Sequence, residues 1–418
     1  MTNAFVLSFT QSYLESATAA NPVDISTLVN HIVQDSLDVN ASDIHIEPWD
    51  DVLGVRVRTS GVLKELVYIP MEYHQQICGR IKVMAQMASH LHGVPQDGKA
   101  APPEFDGVQL RVSIFPTVKG EKVVIRIFNP QARTFDINSL GFDEETLSRY
   151  TRILNRPTGL ILLTGPTGSG KTTAIYASIG FLLEKNSNSV AIASVEDPVE
   201  QNLMWVNQGQ LNLAQDFTYI AALRSLMRQD PEIIMIGEIR DIETATIAVT
   251  AGMTGHLVLS TIHSGTTSGV FARLINMDIE PFLLASSVIG ILGVRLLRLN
   301  CAQCASAYTP EDYAIHHLRQ NEGDEMVDEA LSNQRFQCGW GCEACNNSGY
   351  EGRGMVTELM AVDESVRETV MSKRPTREIQ EAAVNNGMQT LWDGGLRRAV
   401  SGDTTIEEVL MKVAAEML

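Results

Sequence analysis

Between an apolar run, Leu160–Thr164, and a helix-patterned stretch, Thr172–Leu183, lies Gly165-Pro166-Thr167-Gly168-Ser169-Gly170-Lys171-Thr172. No other segment restricts the fold as tightly. A G-x-x-x-x-G-K-[ST] loop works only where a strand delivers it and a helix leaves it. Its glycines turn successive N–H groups inward around phosphate oxygens, and the helix N-terminus adds partial positive charge. Both flanks are present here. In such a loop Lys171 reaches the β- and γ-phosphates and the Thr172 hydroxyl ligates Mg²⁺. The candidate nucleotide-binding residues are therefore Gly165, Pro166, Thr167, Gly168, Ser169, Gly170, Lys171, Thr172 and Thr173. A glycine-rich turn that binds nothing would have to share both flanks by chance.

The surrounding grammar agrees with the loop. Strand-like runs Leu160–Thr164, Val190–Val195, Ile233–Ile236 and Leu257–Thr261 alternate with helical patterns Thr172–Leu183, Phe217–Met227 and Ile242–Met253. Such alternation predicts an α/β domain with a mostly parallel sheet covered on both faces. The run Ile233–Ile236 ends in Gly237-Glu238, where a P-loop site needs a carboxylate for Mg²⁺ and the attacking water. Gly237 stands where Asp is common, which leaves Glu238 to act. Glu196-Asp197-Pro198-Val199-Glu200 closes another strand, either as a solvated turn or as part of the ligand edge of the sheet. His256 and His263 bracket the fourth strand, and His263, at its carboxyl end, is placed to read a γ-phosphate.

Upstream, an amphipathic pattern from Asp24 and a second from Tyr73 to Met87 flank strand-like runs Asp43–Glu47, Val52–Arg58, Gln109–Phe115 and Lys122–Phe128. These predict a small α+β unit. The expected division is 1–22, a poorly ordered segment around a frayed helix near Phe9–Ala17; 23–130, the α+β domain; 131–145, a linker; 146–300, the ATPase core; 301–350, a cysteine module; and 351–418, a helical subdomain.

Of 418 residues, 44% are hydrophobic, enough for more than one core, and the net charge of −18 repels phosphate backbones, so nucleic acid is not an expected partner. The run Pro281–Val294 is too short for the ~20 residues a bilayer requires, so no membrane span is expected. Met1–Thr10 lacks the basic region of a signal peptide, and export is not expected. Five of the six cysteines lie between Cys301 and Cys345. Cys301-x-x-Cys304 and Cys342-x-x-Cys345 can each clip one edge of a tetrahedral Zn²⁺ in a reducing compartment. Cys338 is a spare that could replace Cys342. Cys78 reads as a core residue, and the acidic stretch between the pairs is expected to loop out.

The run Gly159–Arg298 resembles the secretion-ATPase superfamily that powers type II secretion and type IV pilus assembly. The resemblance rests on GPTGSGKTT, VEDPVE, Met227-Arg228-Gln229-Asp230-Pro231, IIMIGEIRD and TGHLVLSTIH. In the smaller unit it rests on ASDIHIE at Ala41–Glu47, Arg56-Val57-Arg58, PQDG at Pro95–Gly98 and GEKVVIR at Gly120–Arg126. It covers nearly the whole chain from residue 24. It implies a RecA-like core after a small PAS-like domain, and the four-cysteine zinc module shared by the secretion and pilus-assembly branches. It further implies a homo-hexamer that hydrolyses ATP with Mg²⁺ and acts on an inner-membrane platform protein from the cytoplasmic side. In that family the N-terminal domain of one subunit closes over a neighbour's nucleotide. Arg111 and Arg126 match family positions that reach toward phosphates, and with Lys171, Glu196, Glu238 and His263 they form the expected catalytic set.

Three places depart from the family pattern. Arg58 is followed by Thr59-Ser60-Gly61 instead of Ile-Asp-Gly. Ser264-Gly265-Thr266-Thr267 stands for Thr-Asn-Asp-Ala, and Val294 for Gln before Arg295-Leu296. The family's additional N-terminal domain is not expected in this chain. A nucleotide-bound regulatory scaffold with little turnover and a nucleic-acid motor of related fold are the competing readings. Retention of Lys171, Thr172, Glu196, Glu238 and His263 opposes the first, and the acidic charge opposes the second.

Overall fold

The chain divides into two units, Met1–Thr134 and Phe135–Leu418. The computed structural model describes residues 9–16, 22–59, 61–128, 135–212 and 215–413.

In the first unit, α1 (Phe9–Ser16) and α2 (Ile25–Asp38) precede β1 (Asp43–Pro48), β2 (Val52–Thr59) and β3 (Val62–Pro70). Then come α3 (His74–Met84), β4 (Gln96–Ala100), β5 (Gln109–Thr117) and β6 (Gly120–Phe128). The strands form one antiparallel sheet in the order β3-β2-β1-β6-β5-β4. Alternation along β1 sends Ile44 and Ile46 into a core shared with Leu28 and Ile32 of α2 and Ile77 and Ile81 of α3. Asp43, His45 and Glu47 fall on the opposite face. There Asp43 lies between Arg58 and Arg126, and Glu47 between Arg56 and Lys122. The strand β4, Gln-Asp-Gly-Lys-Ala, has no apolar alternation and exists through its pairing with β5.

Helix α1 falls inside the stretch expected to be poorly ordered. The amides of Phe9 and Thr10 each donate at 2.9 Å to the buried Asp35 carboxylate, which ties α1 to α2. The rest of that stretch, 1–8 and 17–21, lies outside the described residues. Cys78 is a core residue, and burial pushes its thiol up to about 12.

The second unit begins with α4 (Glu144–Leu154), β7 (Gly159–Thr164), α5 (Lys171–Lys185), β8 (Ile192–Glu196), β9 (Val206–Gln210), α6 (Tyr219–Leu226) and β10 (Ile233–Ile236). It continues through α7 (Ile242–Met253), β11 (Leu257–Ile262), α8 (Thr267–Asn276), α9 (Pro281–Ser287) and β12 (Val288–Asn300). After β13 (Ala305–Ala307) come α10 (Asp312–Glu322), α11 (Asp324–Ser332), β14 (Gln337–Gly339), β15 (Tyr350–Ala361), α12 (Glu364–Met371), α13 (Thr376–Asn385), α14 (Leu391–Val400) and α15 (Ile406–Lys412). Seven strands form the central sheet, in the order β15-β12-β7-β11-β10-β8-β9. Every neighbouring pair is parallel except β12 with β15. Leu160 and Leu162 face one core and Ile161 and Leu163 the other, so the sheet is buried on both sides in a RecA-like α/β arrangement. Among the described residues no helix is long and apolar enough to cross a membrane.

Three expectations need correction. Residues 135–145 are not a free linker: Phe135, Ile137, Leu140 and Phe142 pack on the core around α5, although their spacing has no helical or strand period. Residues 131–134 lie outside the described set. Residues 351–361, expected within a helical subdomain, belong to the strand β15 (Tyr350–Ala361), which pairs along the length of β12 and is part of the central sheet. The acidic stretch after Cys304 does not loop out. It forms α10 and α11, whose Ala314, Leu318, Val327 and Ala330 pack against Leu391, Trp392, Ala399 and Ile406. Acidic residues cover the outer face of these helices, and composition alone conceals the apolar stripe. Leu318→Ala should therefore destabilise the protein by about 2–5 kcal/mol in chemical denaturation, as for other buried leucines. An unchanged midpoint would show that the insert does not belong to that core.

Candidate nucleotide site and four-cysteine cluster

Strand β7 ends at Thr164, and the chain turns at once through Gly165 (φ 148°), Gly168 (φ 77°) and Gly170 (φ 99°). A Cβ at Gly165 would meet the Val294 carbonyl oxygen at 2.5 Å, and one at Gly170 the Met355 methyl carbon at 2.9 Å. Only glycine lets the loop lie this close to β12 and β15. Pro166 and Thr167 sit at the exposed crest, while Ser169 is buried. Lys171 opens α5 and donates to the carbonyl oxygens of Gly165 (2.6 Å) and Pro166 (3.0 Å). Burial pulls its pKa below the usual lysine value, against the opposing charge of Glu238. The Thr172 hydroxyl donates to Glu200 Oε1 at 3.3 Å, and Thr173 follows in the first turn.

Strands β11 and β10 lie next in the sheet, and their carboxyl ends carry His263 and Glu238. His263 Nε2 lies 3.1 Å from Glu238 Oε1, and Arg240 Nε donates to Glu238 Oε2 at 2.7 Å. Arg240 also stands 3.7 Å from Asp197. A Cβ at Gly237 would stand 2.8 Å from the Tyr219 hydroxyl. His256 lies at the other end of β11, away from Glu238.

Glu196 was expected in the catalytic set, yet both its oxygens are engaged inside the core. Oε2 accepts from the Tyr176 hydroxyl at 2.5 Å, and Oε1 accepts from Ser194 Oγ at 2.7 Å and Gln208 Nε2 at 2.9 Å. Burial and the Glu196 charge push the Tyr176 phenol up, so its hydroxyl stays a donor. Glu196 thus ties the P-loop helix to β8 and β9, and the carboxylate beside Thr172 is Glu200. Sequence reading gave no role to Tyr176, Arg240 or Arg295. Arg240 was visible two residues after Glu238, but nothing in a strand pattern marks Arg295 as buried.

In the N-terminal unit, Arg111 of β5 and Arg126 of β6 stand directly opposite one another, with Lys99 opposite Arg111 and Asp43 opposite Arg126. These residues line an open cleft of about 500 Å³. Asp43 accepts from Arg126 Nε at 3.0 Å, and the Arg111 guanidinium lies 5.5 Å from the centre of the Phe128 ring.

The four sulfurs of Cys301, Cys304, Cys342 and Cys345 all lie within 4.8 Å of one another. The pairs 301–342, 304–345 and 342–345 are each 3.8 Å apart. That spacing is too long for a disulfide. It matches the ~3.8 Å edge of a tetrahedron with ~2.3 Å metal–sulfur bonds. Cys338 is outside the cluster; it lies on β14 opposite Ser306. Burial opposes ionisation of Cys345, but the amides of Cys342 and Gly349 donate to its sulfur (3.2 and 3.3 Å) and hold it down to about 6. The residues present fit a metal ion.

A phosphate cradle on a RecA-like sheet, faced by a carboxylate–imidazole pair, defines a P-loop nucleotide-binding protein. The chain matches the family described as type II/IV secretion system protein over residues 18–411. It is 39% identical over 410 residues to the type IV pilus assembly ATPase PilB of Myxococcus xanthus, an alignment covering 97% of this chain and 71% of that protein. It is also 39% identical over 394 residues to the type II secretion system ATPase E of Vibrio cholerae, covering 94% and 76% respectively. Among solved structures it is similar in fold to the Legionella pneumophila ATPase DotB, with a TM-score of 0.67 and 16% identity over 92% of this chain and 95% of that one. The chain belongs to the type II/IV secretion system protein family.

The clasp around Glu196 yields a test. Tyr176→Phe keeps the buried ring and strips one carboxylate oxygen of its donor, which should lower stability by about 1–3 kcal/mol. A thermal melt indistinguishable from the parent would show that the bond contributes nothing.

Proposed function

We propose that this chain hydrolyses ATP to ADP and phosphate as one subunit of a hexameric motor that drives assembly of a type II secretion pseudopilus or a type IV pilus. One observation carries the reading. Lys171 stands at the mouth of the cradle, with Glu238 and His263 at the ends of the next two strands. Relatives 39% identical to it are named as ATPases of pilus assembly and of type II secretion.

The roles follow from charge. The loop Gly165–Thr173 wraps the phosphates with backbone amides. Lys171 exchanges the carbonyls of Gly165 and Pro166 for β- and γ-phosphate oxygens. The Thr172 hydroxyl would hold Mg²⁺, which would supply charge that neutralises the phosphates. Glu238, with its oxygens held by His263 and Arg240, orients water and takes its proton as the oxygen attacks the γ-phosphorus. The bond from that phosphorus to the β,γ-bridging oxygen breaks, and ADP leaves with the electron pair. His263 faces the γ-phosphate, and Glu196 fixes the cradle from behind. Arg111 and Arg126, on a PAS-like N-terminal domain, act on the nucleotide of a neighbouring subunit, where an arginine on developing charge is worth ~10³–10⁵ in rate. The motor works at the cytoplasmic face of the inner membrane, on a platform protein. Cys301, Cys304, Cys342 and Cys345 hold Zn²⁺ as a structural ion.

Lys171→Ala should reduce ATP hydrolysis on the order of 10²–10³-fold or more with the fold intact. Mixing Lys171→Ala with Arg111→Ala subunits should restore partial activity, since some junctions then pair an intact cradle with an intact arginine. Near-parental turnover of Lys171→Ala would overturn the site. No rescue between subunits shown to exchange would overturn its sharing.

Zinc should be present at about one ion per chain, because four thiolates saturate a tetrahedral ion. Cys342→Ser should lower the metal content by elemental analysis, and Cys338→Ser should not. The reverse pattern would move the site to Cys338.

A further inference from the structure

The loop that follows His263, Ser264–Thr267, is held from the sheet beside it. Three adjacent strands each send one side chain to this loop. From β7, the Thr164 hydroxyl donates to the Ser264 carbonyl oxygen at 2.9 Å and accepts from the Ser264 amide at 3.0 Å. From β12, Arg295 Nη2 donates to the Gly265 carbonyl oxygen at 2.7 Å. From β15, Glu358 Oε1 accepts from the Thr267 hydroxyl.

Thr164 and Glu358 lie in one row across the sheet, each registered with Gly293 of β12. A Cβ on Gly293 would stand 3.1 Å from the Thr267 methyl and 3.5 Å from Glu358 Cβ, so a larger residue there would crowd the contact. Glu358 is buried, and a buried carboxylate needs compensation. It receives it from two helix starts. Thr267 is the first residue of α8. The amide of Leu391, the first residue of α14, donates to Glu358 Oε2 at 3.2 Å. The start of α14 brings an amide and partial positive charge to the carboxylate, and the start of α8 brings a hydroxyl. Gln380 of α13 adds a long contact of 3.5 Å to the same oxygen.

From this arrangement we infer that Glu358 is a positioning residue for hydrolysis. Through Thr267 it sets the loop that places His263 against Glu238, and its second oxygen links that loop to the first turn of α14. The inference rests on the ATPase reading above. A change at the nucleotide site that moves the His263 loop is felt at Leu391 through one side chain.

Thr267→Val removes the hydroxyl at nearly constant volume, Thr267→Ser keeps it, and Lys171→Ala serves as the reference. For Thr267→Val the inference predicts a kcat about tenfold lower with KM for ATP within about twofold, because the cradle itself is untouched. Thr267→Ser should keep at least half the parental kcat. Hydrogen exchange at the Leu391 amide should change on addition of a non-hydrolysable ATP analogue in the parent and not in Thr267→Val. If Thr267→Val does not fold, Thr267→Ala carries the same expectations. Parental kcat without the hydroxyl, Thr267→Ser as impaired as Thr267→Val, or Leu391 exchange indifferent to nucleotide in the parent would overturn the inference. Should Lys171→Ala turn over like the parent, the ATPase reading itself fails. An inactive Lys171→Ala beside a fully active Thr267→Val sinks the positioning role alone.

Discussion

An ammonium group at the start of a half-buried helix has lost much of its water, and Lys171, the first residue of α5, is in that position. In the structure it donates to the carbonyl oxygens of Gly165 and Pro166. Those two neutral acceptors take two of its three hydrogens and cannot balance its charge. Phosphate oxygens can do both. The parallel sheet turns this local imbalance into a site, because β7, β11 and β10 all end on the same edge and deliver a cation, an imidazole and a carboxylate side by side.

The other buried polar groups of the second unit hold that edge in place. Glu196 joins the P-loop helix to β8 and β9, and its three donors are neutral, so it restrains geometry without competing for the phosphate. Thr164, Arg295 and Glu358 grip Ser264, Gly265 and Thr267 of the His263 loop from three neighbouring strands. At the far end of the long β12–β15 ladder, Asn300 pairs with Tyr350 after a register shift, and the cysteine pairs flank that point in the chain. Four sulfurs within 4.8 Å of one another are placed to tie the two strands where their regular pairing ends.

The legible parts of the fold are those where local pattern and tertiary role coincide. The runs Leu160–Thr164, Ile233–Ile236 and Leu257–Thr261 are apolar throughout because the sheet is buried on both faces, and each is a strand. Glu238 and His263 could be placed because both sit at strand ends. Elsewhere the signal is not local. The strand β15 reads Tyr-Glu-Gly-Arg-Gly at its start and owes its conformation to β12, far away in the chain. Phe135, Ile137, Leu140 and Phe142 follow no period because they pack as an irregular segment. Glu196 and Glu200 are indistinguishable within an acidic box, and only the structure shows that the first points inward while the second meets Thr172. Arg295 and Glu358 look like ordinary charges on strands. Their burial follows from helix starts and loop carbonyls contributed by distant segments.

The central claim is that the Lys171 charge is placed for phosphate. Its most direct test is an experimental structure of the protein soaked or co-purified with a non-hydrolysable ATP analogue and Mg²⁺. The account predicts that Lys171 Nζ leaves the carbonyl oxygens of Gly165 and Pro166 and lies within hydrogen-bond distance of the β- and γ-phosphate oxygens, with the Thr172 hydroxyl turned from Glu200 to the metal. Nucleotide bound elsewhere, with Lys171 still seated on those two carbonyls, would contradict it.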